Sequence, residues 1–352
     1  MLCITLFWMS AAGCFNATTK EQAMPSHLAT LGRYLFFENQ ISLNHSKSCG
    51  SCHAPEFAFT DGYRRSVSSL GENLKHNAPS LLNTQSYHYF EWANPLAKTF
   101  REQMQRPLYG KHPIELGLDL HFDEVKKYLE QDAKYQTLWC EAFQSDTCSI
   151  SMQRIEIALV AYLQTLVSTQ SKYDKFIQGD TTLFSSAEKH GLTLFRSDAL
   201  SCSKCHLEPS FTLATSNKNQ DEIFVNIGLY DYSKFVSDSS QDVGIYESTQ
   251  QLQDLGKFKI PSLRNCGLTA PYMHDGSVAS LSDVLDIYKN GGRMPALSNS
   301  TNHSQTNSTK HPLIHGFELS AYDKQSLLAF LHTLTDTSYL SQEHFLNPFR
   351  IR

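Results

Sequence analysis

From Ser151 onward, apolar side chains return at three- and four-residue steps: Ile155, Leu159, Tyr162, Leu163 and Leu166. That period predicts a helix of about four or five turns with one buried stripe. Near the far end of the chain, Leu327, Leu328, Leu331 and Leu334 follow Ser320 and Asp323, a start resembling a capping box. Between them, Ser280 and Asp283 cap a short helix that Gly291-Gly292 ends, with Leu281, Val284, Leu285 and Tyr288 on one face. Strand signals are few and short. The expected class is mainly α with little sheet. Ser233 to Gln241 and Ser298 to Thr309 are polar and lack an apolar period, so they read as solvated connections, with partner docking as the alternative.

The pattern repeats. Gly32-Arg33-Tyr34-Leu35-Phe36 has a counterpart in Gly191-Leu192-Thr193-Leu194-Phe195, and Phe59-Thr60 in Phe211-Thr212. Self-similarity at this separation predicts two related modules. A chain of 352 residues is long enough for each to bury its own core. We place the modules at 25–175 and 180–352, with the boundary near Gln170 to Thr182.

Each module carries a Cys-x-x-Cys-His run, Cys49-Gly50-Ser51-Cys52-His53 and Cys202-Ser203-Lys204-Cys205-His206. Thiols at this spacing can close thioether bonds onto the two vinyl groups of one porphyrin, and the next histidine can turn onto the iron. Zinc and redox dithiols use the same cysteine spacing. Two complete copies favour two covalently attached haem c groups. The modules then read as two cytochrome c-like haem domains in tandem, where a terminal helix packs across the haem-bearing helix.

Composition refines the setting. With a net charge of -5 and no long basic run, the chain offers nothing to nucleic acid. Nine cysteines leave five outside the two motifs. Cys140 and Cys148 are close enough in sequence for a local disulfide, with two unpaired thiols as the alternative. Cys266 reads as a small core residue. Leu2 to Met9 is mostly apolar, too short to span a membrane, and leads through Ser10-Ala11-Ala12-Gly13 to Cys14. Residues 1–14 therefore read as an export signal with Cys14 as the lipidated residue, although a basic first region is missing and a plain cleaved signal is the alternative. Either version predicts a periplasmic protein, and the first a membrane-anchored lipoprotein.

Leu263-Arg264-Asn265-Cys266-Gly267-Leu268-Thr269-Ala270-Pro271-Tyr272-Met273-His274-Asp275-Gly276, taken with both Cys-x-x-Cys-His runs, resembles the bacterial di-haem cytochrome c peroxidase and MauG superfamily. The resemblance runs from about Leu31 to the C-terminus. Trp92-Ala93-Asn94-Pro95-Leu96, Gln103, Arg106 to Gly117 and Leu331 to Phe349 look like its MbnH-type members. The interval from Pro107 to Glu115 is two residues longer than in ordinary peroxidases.

The resemblance implies roles. Tyr288 would ligate the second iron opposite His206, where ordinary peroxidases have methionine; Met273 and Met294 are the rival ligands. A phenolate is a hard anionic donor that favours a high oxidation state. The His53 iron would be open to peroxide, since Arg64 to Gly71 contains no histidine and His76 reads as a surface residue. Glu115 and Gln103 match the catalytic residues on that open side, and Trp92 matches a residue between the haems. Asn77, Thr269 and Pro271 match the positions that hold one calcium ion, and Arg264 and Lys257 would pair with haem propionates.

The implied enzyme uses hydrogen peroxide to oxidise a tryptophan of a partner protein, as MbnH-type enzymes do to a small copper-binding MbnP-like partner. The alternatives are a cytochrome c peroxidase drawing electrons from a small cytochrome or cupredoxin, and a di-haem electron carrier.

Overall fold

The structure, a computed structural model, describes residues 26–144, 148–230, 242–293 and 309–350. The first module is built on α1 (His27–Phe37), α2 (Cys49–Cys52), α3 (Phe100–Tyr109), α4 (Ala133–Phe143) and α5 (Met152–Leu163). Ser26 caps α1 by accepting from the Ala29 N–H, and Ser151 caps α5 by accepting from Arg154. Ile155, Leu159 and Tyr162 of the expected stripe are buried. The helix is shorter than the period suggests: it ends at Leu163, while Leu166 still reaches the same core from the turn beyond.

The second module repeats the plan with α6 (Ser186–Arg196), α7 (Cys202–Cys205), α8 (Leu281–Lys289) and α9 (Ala321–His332). Ser280 and Ser320 cap α8 and α9, each accepting from the aspartate three residues on. Here the repeated glycine acquires a physical reason. A Cβ on Gly32 would lie 1.9 Å from the Ala158 carbonyl oxygen of α5, and one on Gly191 would lie 2.0 Å from the Ser326 carbonyl oxygen of α9. Both helix pairs cross so closely that no larger residue fits.

Two aromatic-rich cores result. Leu35, Phe36, Trp139 and Leu159 belong to the first, while Phe195, Phe211, Leu327 and Phe330 belong to the second. Leu166 lies in the first core and Tyr173 in the second, so the chain changes core at the early edge of the expected boundary. The C-terminal assignment needs correction. Tyr339 and Phe345 are fully buried in the first core, the Tyr339 hydroxyl donates to the Pro55 carbonyl at 2.9 Å, and Arg33 Nε donates to the Leu346 carbonyl at 2.8 Å. Beyond α9 the chain returns to pack its rings against Phe59, a tie between modules that a linear repeat does not show.

The sheet is two short antiparallel strands, β1 (Phe224–Val225) and β2 (Phe258–Lys259), pairing Phe224 with Lys259 and Val225 with Phe258. Cys140 and Cys148 form a disulfide, and Cys266 is buried with its Sγ toward the Leu331 carbonyl. Among the described residues, no helix is long and apolar enough to cross a membrane. The export signal, Cys14, Met294, all of Ser233 to Gln241 and nearly all of Ser298 to Thr309 lie outside the described residues.

Candidate functional site

The second Cys-x-x-Cys-His run opens on a large, mainly apolar cavity. Cys202, Cys205 and His206 line it with Leu200, Leu263 and Phe317. The α7 turn places both thiols on one side, and His206 follows with its Nδ1 against the Phe211 and Pro261 carbonyls at 3.2 and 3.1 Å. A ring nitrogen facing carbonyls must carry the proton, which leaves the Nε2 lone pair as the ligand. Burial lowers His206 to about 4 and keeps it neutral, while burial pushes Cys202 up to about 12. Neutral thiols and an oriented neutral imidazole in an apolar cavity suit a covalently tethered porphyrin. No group of three His, Cys, Asp or Glu able to hold a metal ion occurs among the described residues.

Tyr288 and Met273 both line this cavity. Tyr288 stands on the last turn of α8, whose buried Leu281 and Leu285 fix the helix. Burial, and after it the nearby Cys205 and Cys202, push its phenol well above the usual range. The phenol stays protonated until an electrophile takes its oxygen.

The first motif repeats the histidine arrangement. His53 Nδ1 meets the Phe59 carbonyl at 2.9 Å, and burial holds the ring neutral. Both receiving residues, Phe59 and Phe211, are fully buried and have positive φ of 59° and 54°. This turn explains the repeated Phe-Thr pair: it aims a carbonyl back at the histidine. Burial pushes Cys49 up to about 12 and Cys52 to about 11.

Gln103 and Arg106 share one face of α3, three residues apart. The Gln103 Oε1 atom is buried and has no protein donor. Arg106 Nε lies 3.6 Å from Glu115, and its Nη1 lies 3.0 Å from the buried Glu91. The Glu115 segment is stitched in place on both sides: Leu116 N–H donates to Pro107 at 3.0 Å, and Ser69 N–H donates to the Glu115 carbonyl at 3.2 Å. Burial raises Glu115 above the usual carboxylate range, against the pull of Arg106. Glu115 in turn raises both Cys49 and Cys52, so the structure brings Glu115 to the first motif.

Trp92 lines the large cavity beside Thr60, from the loop behind the first motif, and its Nε1–H donates to the Asn77 carbonyl at 2.9 Å. Asn77, Thr269 and Pro271 also line it. The Asn77 amide nitrogen donates to the Tyr63 carbonyl at 2.9 Å. The side-chain oxygen of Asn77 and the carbonyls of Thr269 and Pro271 are hard donors of the kind calcium takes.

One reading changes. His76 is not a surface residue: its side chain is 10% exposed, and Nε2 lies 2.7 Å from Asp242. Arg264 makes a two-pronged pair with Asp174 at 2.8 and 3.0 Å and also lines the cavity. Lys257 likewise pairs with Asp254 and Asp221. One residue escaped notice: Lys259, buried on the cavity wall between Trp92 and Tyr87. Its position beside Phe258 in β2 carried no signal, since a lysine in a short strand ordinarily points to solvent.

Known proteins can now be compared. A family model described as di-haem cytochrome c peroxidase matches residues 26–182. The methylamine utilization protein MauG of Methylophilus methylotrophus is 30% identical, over 87% of this chain and 82% of its own length. Cytochrome c551 peroxidase of Nitrosomonas europaea is 29% identical over 77% of this chain and 74% of its own. Among solved structures, a MauG-like protein associated with microbial copper homeostasis superposes with a TM-score of 0.84 at 37% identity, covering 94% of this chain and 95% of that one. The diheme peroxidase BthA from Burkholderia thailandensis, at 22% identity, TM-score 0.65 and coverage of 88% and 86%, shares the fold.

Proposed function

Because the chain belongs to the di-haem cytochrome c peroxidase and MauG family, and is thus a haem-dependent oxidoreductase of peroxidase type, we propose that it uses hydrogen peroxide to oxidise a tryptophan of a partner protein. The observation that carries this reading is Tyr288, a phenol on the second haem cavity close to Cys202 and Cys205. The likeness to the MauG-like protein linked with copper homeostasis supports it.

Two haems would be held by Cys49, Cys52 and His53, and by Cys202, Cys205, His206 and Tyr288. Bound there, they supply the redox chemistry that reduces peroxide and withdraws electrons from the substrate. The protein supplies proton control and placement. Glu115, ionised, takes a proton from one peroxide oxygen and returns it to the other as water leaves. Burial raises its pKa, which favours that return, and Arg106 opposes the rise. The buried Gln103 Oε1 accepts from the peroxide O–H and fixes its approach. Trp92, held by Asn77, offers an aromatic route along the wall of the second haem's cavity. Calcium held by Asn77, Thr269 and Pro271 would brace that wall. The disulfide suits export to an oxidising periplasm, where lipidation at Cys14 would anchor the chain.

Purified haem-loaded protein, mixed with peroxide and a candidate small partner, is expected to add mass to one partner tryptophan. No change on any partner tryptophan while peroxide is consumed overturns the proposal. Relatives named as cytochrome-c peroxidases favour a second reading, reduction of peroxide with electrons from a small cytochrome or cupredoxin. Steady turnover with such a reduced donor, retained in Tyr288→Met, selects it.

A further inference from the structure

Tyr173 is 2% exposed and belongs to the second core, where its ring meets the Phe211 ring edge-on with 4.9 Å between centroids. The Phe211 carbonyl lies 3.2 Å from His206 Nδ1, so the phenol stands one ring behind the histidine of the second Cys-x-x-Cys-His run. Its hydroxyl donates to Glu208 Oε1, two residues past that histidine. Glu208 also accepts from Arg196 Nε and Nη2, both at 2.8 Å. The Glu208 side chain is 20% exposed, that of Arg196 49%, and the neighbouring Leu207 46%. These contacts therefore run from a buried ring beside the second haem site to the protein surface.

The arrangement has a chemical consequence. A phenol that loses an electron becomes a strong acid, and a base already on its oxygen lets the proton leave in the same step. Burial, and after it the bond to Glu208, push the Tyr173 phenol well above its usual range, so it keeps its proton at rest. Against the cost of burial, Arg196 and Tyr173 hold Glu208 below the usual carboxylate range, so it is ionised. The pair thus rests as phenol and carboxylate, the two states that a coupled loss of electron and proton needs.

We propose that Tyr173 is an electron relay between the second haem and a substrate held outside the protein, with Glu208 as its proton acceptor and Arg196 as the residue that positions Glu208. One electron passes from the phenol to the peroxide-oxidised haem, the O–H bond breaks, and the proton moves to Glu208 Oε1. The neutral tyrosyl radical then takes one electron from the substrate and recovers the proton from Glu208. Two such cycles supply the two electrons that one peroxide accepts, with two protons from substrate or solvent, on becoming two waters. The relay deepens the peroxide-driven reading above and rests on it.

The test uses haem-loaded wild type, Tyr173→Phe and Glu208→Gln, with peroxide and no other reductant. Freeze-quench EPR reads the tyrosyl radical, and ring-deuterated tyrosine identifies it by narrowing the signal. Haem content and the thermal midpoint check that each variant is folded and loaded. Wild type is expected to show the radical, and Tyr173→Phe to lower it at least tenfold. Glu208→Gln keeps an oxygen that accepts from the phenol but is no base. It is also expected to lower the signal by about tenfold or more, within the roughly 10²–10⁴ that a positioned proton acceptor supplies. A hydrogen bond that serves packing alone leaves the radical intact in Glu208→Gln, and that result overturns the proton-accepting role. A tyrosyl signal absent from wild type, or undiminished in Tyr173→Phe, while peroxide is consumed overturns the relay alone. Failure of wild type to consume peroxide overturns the functional reading and this inference together.

Discussion

Arg106 and Glu115 face each other at 3.6 Å beside the first Cys-x-x-Cys-His run, with Glu91 holding the guanidinium from the other side. The pair sets how readily Glu115 gives up its proton. Removing the carboxylate removes the proton carrier, so Glu115→Gln is expected to lower kcat/KM for peroxide by about 10²–10³. Haem content and the resting spectrum should be unchanged, which stopped-flow and pyridine haemochrome measurements check together.

Arg106→Met acts differently. Burial already raises Glu115 and Arg106 opposes it, so losing the arginine moves the carboxyl further up. Glu115 must be ionised to accept the first proton. The acid limb of the kcat/KM profile should therefore shift to higher pH, with the plateau reached at alkaline pH nearly retained.

Tyr288→Met exchanges a hard oxygen donor for a soft sulfur at the second haem cavity. The reduced form of that haem should be favoured, and partner oxidation should fall by at least about tenfold. Potentiometric titration followed in the visible spectrum is expected to show a rise in potential for one haem only.

Lys259 predicts a pH signature in stability. In the unfolded chain its ammonium keeps its proton up to about 10.5, and in the fold only to about 7. Between these values unfolding takes up a proton, so this group makes stability rise with pH across the window, and its full penalty is present below about pH 7. The difference is of the order of 5 kcal/mol. Urea unfolding of Lys259→Met at pH 6 and pH 9 should show a smaller change between the two than wild type.

Tyr339 ties the C-terminal segment into the first core through full burial and its bond to Pro55. Tyr339→Phe should cost about 1 kcal/mol by losing one hydrogen bond. Tyr339→Ala should cost about 3–5 kcal/mol by leaving a cavity beside Phe59. Denaturant titration measures both, and a negligible loss in Tyr339→Ala would contradict the packing described.

The two Cys-x-x-Cys-His turns were legible because their geometry is local. Two thiols and an imidazole within five residues need only one short turn, and both turns form at Cys49–Cys52 and Cys202–Cys205. Helix caps at Ser280 and Ser320 were legible for the same reason, since each joins groups three residues apart. The repeated Gly32 and Gly191 announced two modules, yet only the crossing with Ala158 and Ser326 shows why glycine is needed there.

What the sequence by itself determined is therefore the set of contacts made within a turn or two: the motifs, their caps and the duplicated plan. Tertiary structure decided the rest. Burial and charge matching depend on which distant segments meet, and no local pattern encodes them. That is why His76 proves enclosed beside Asp242, Arg264 is met by Asp174, and Tyr339 completes a core some three hundred residues earlier in the chain. For the same reason Lys259, unremarkable in sequence, becomes a buried charge between Trp92 and Tyr87.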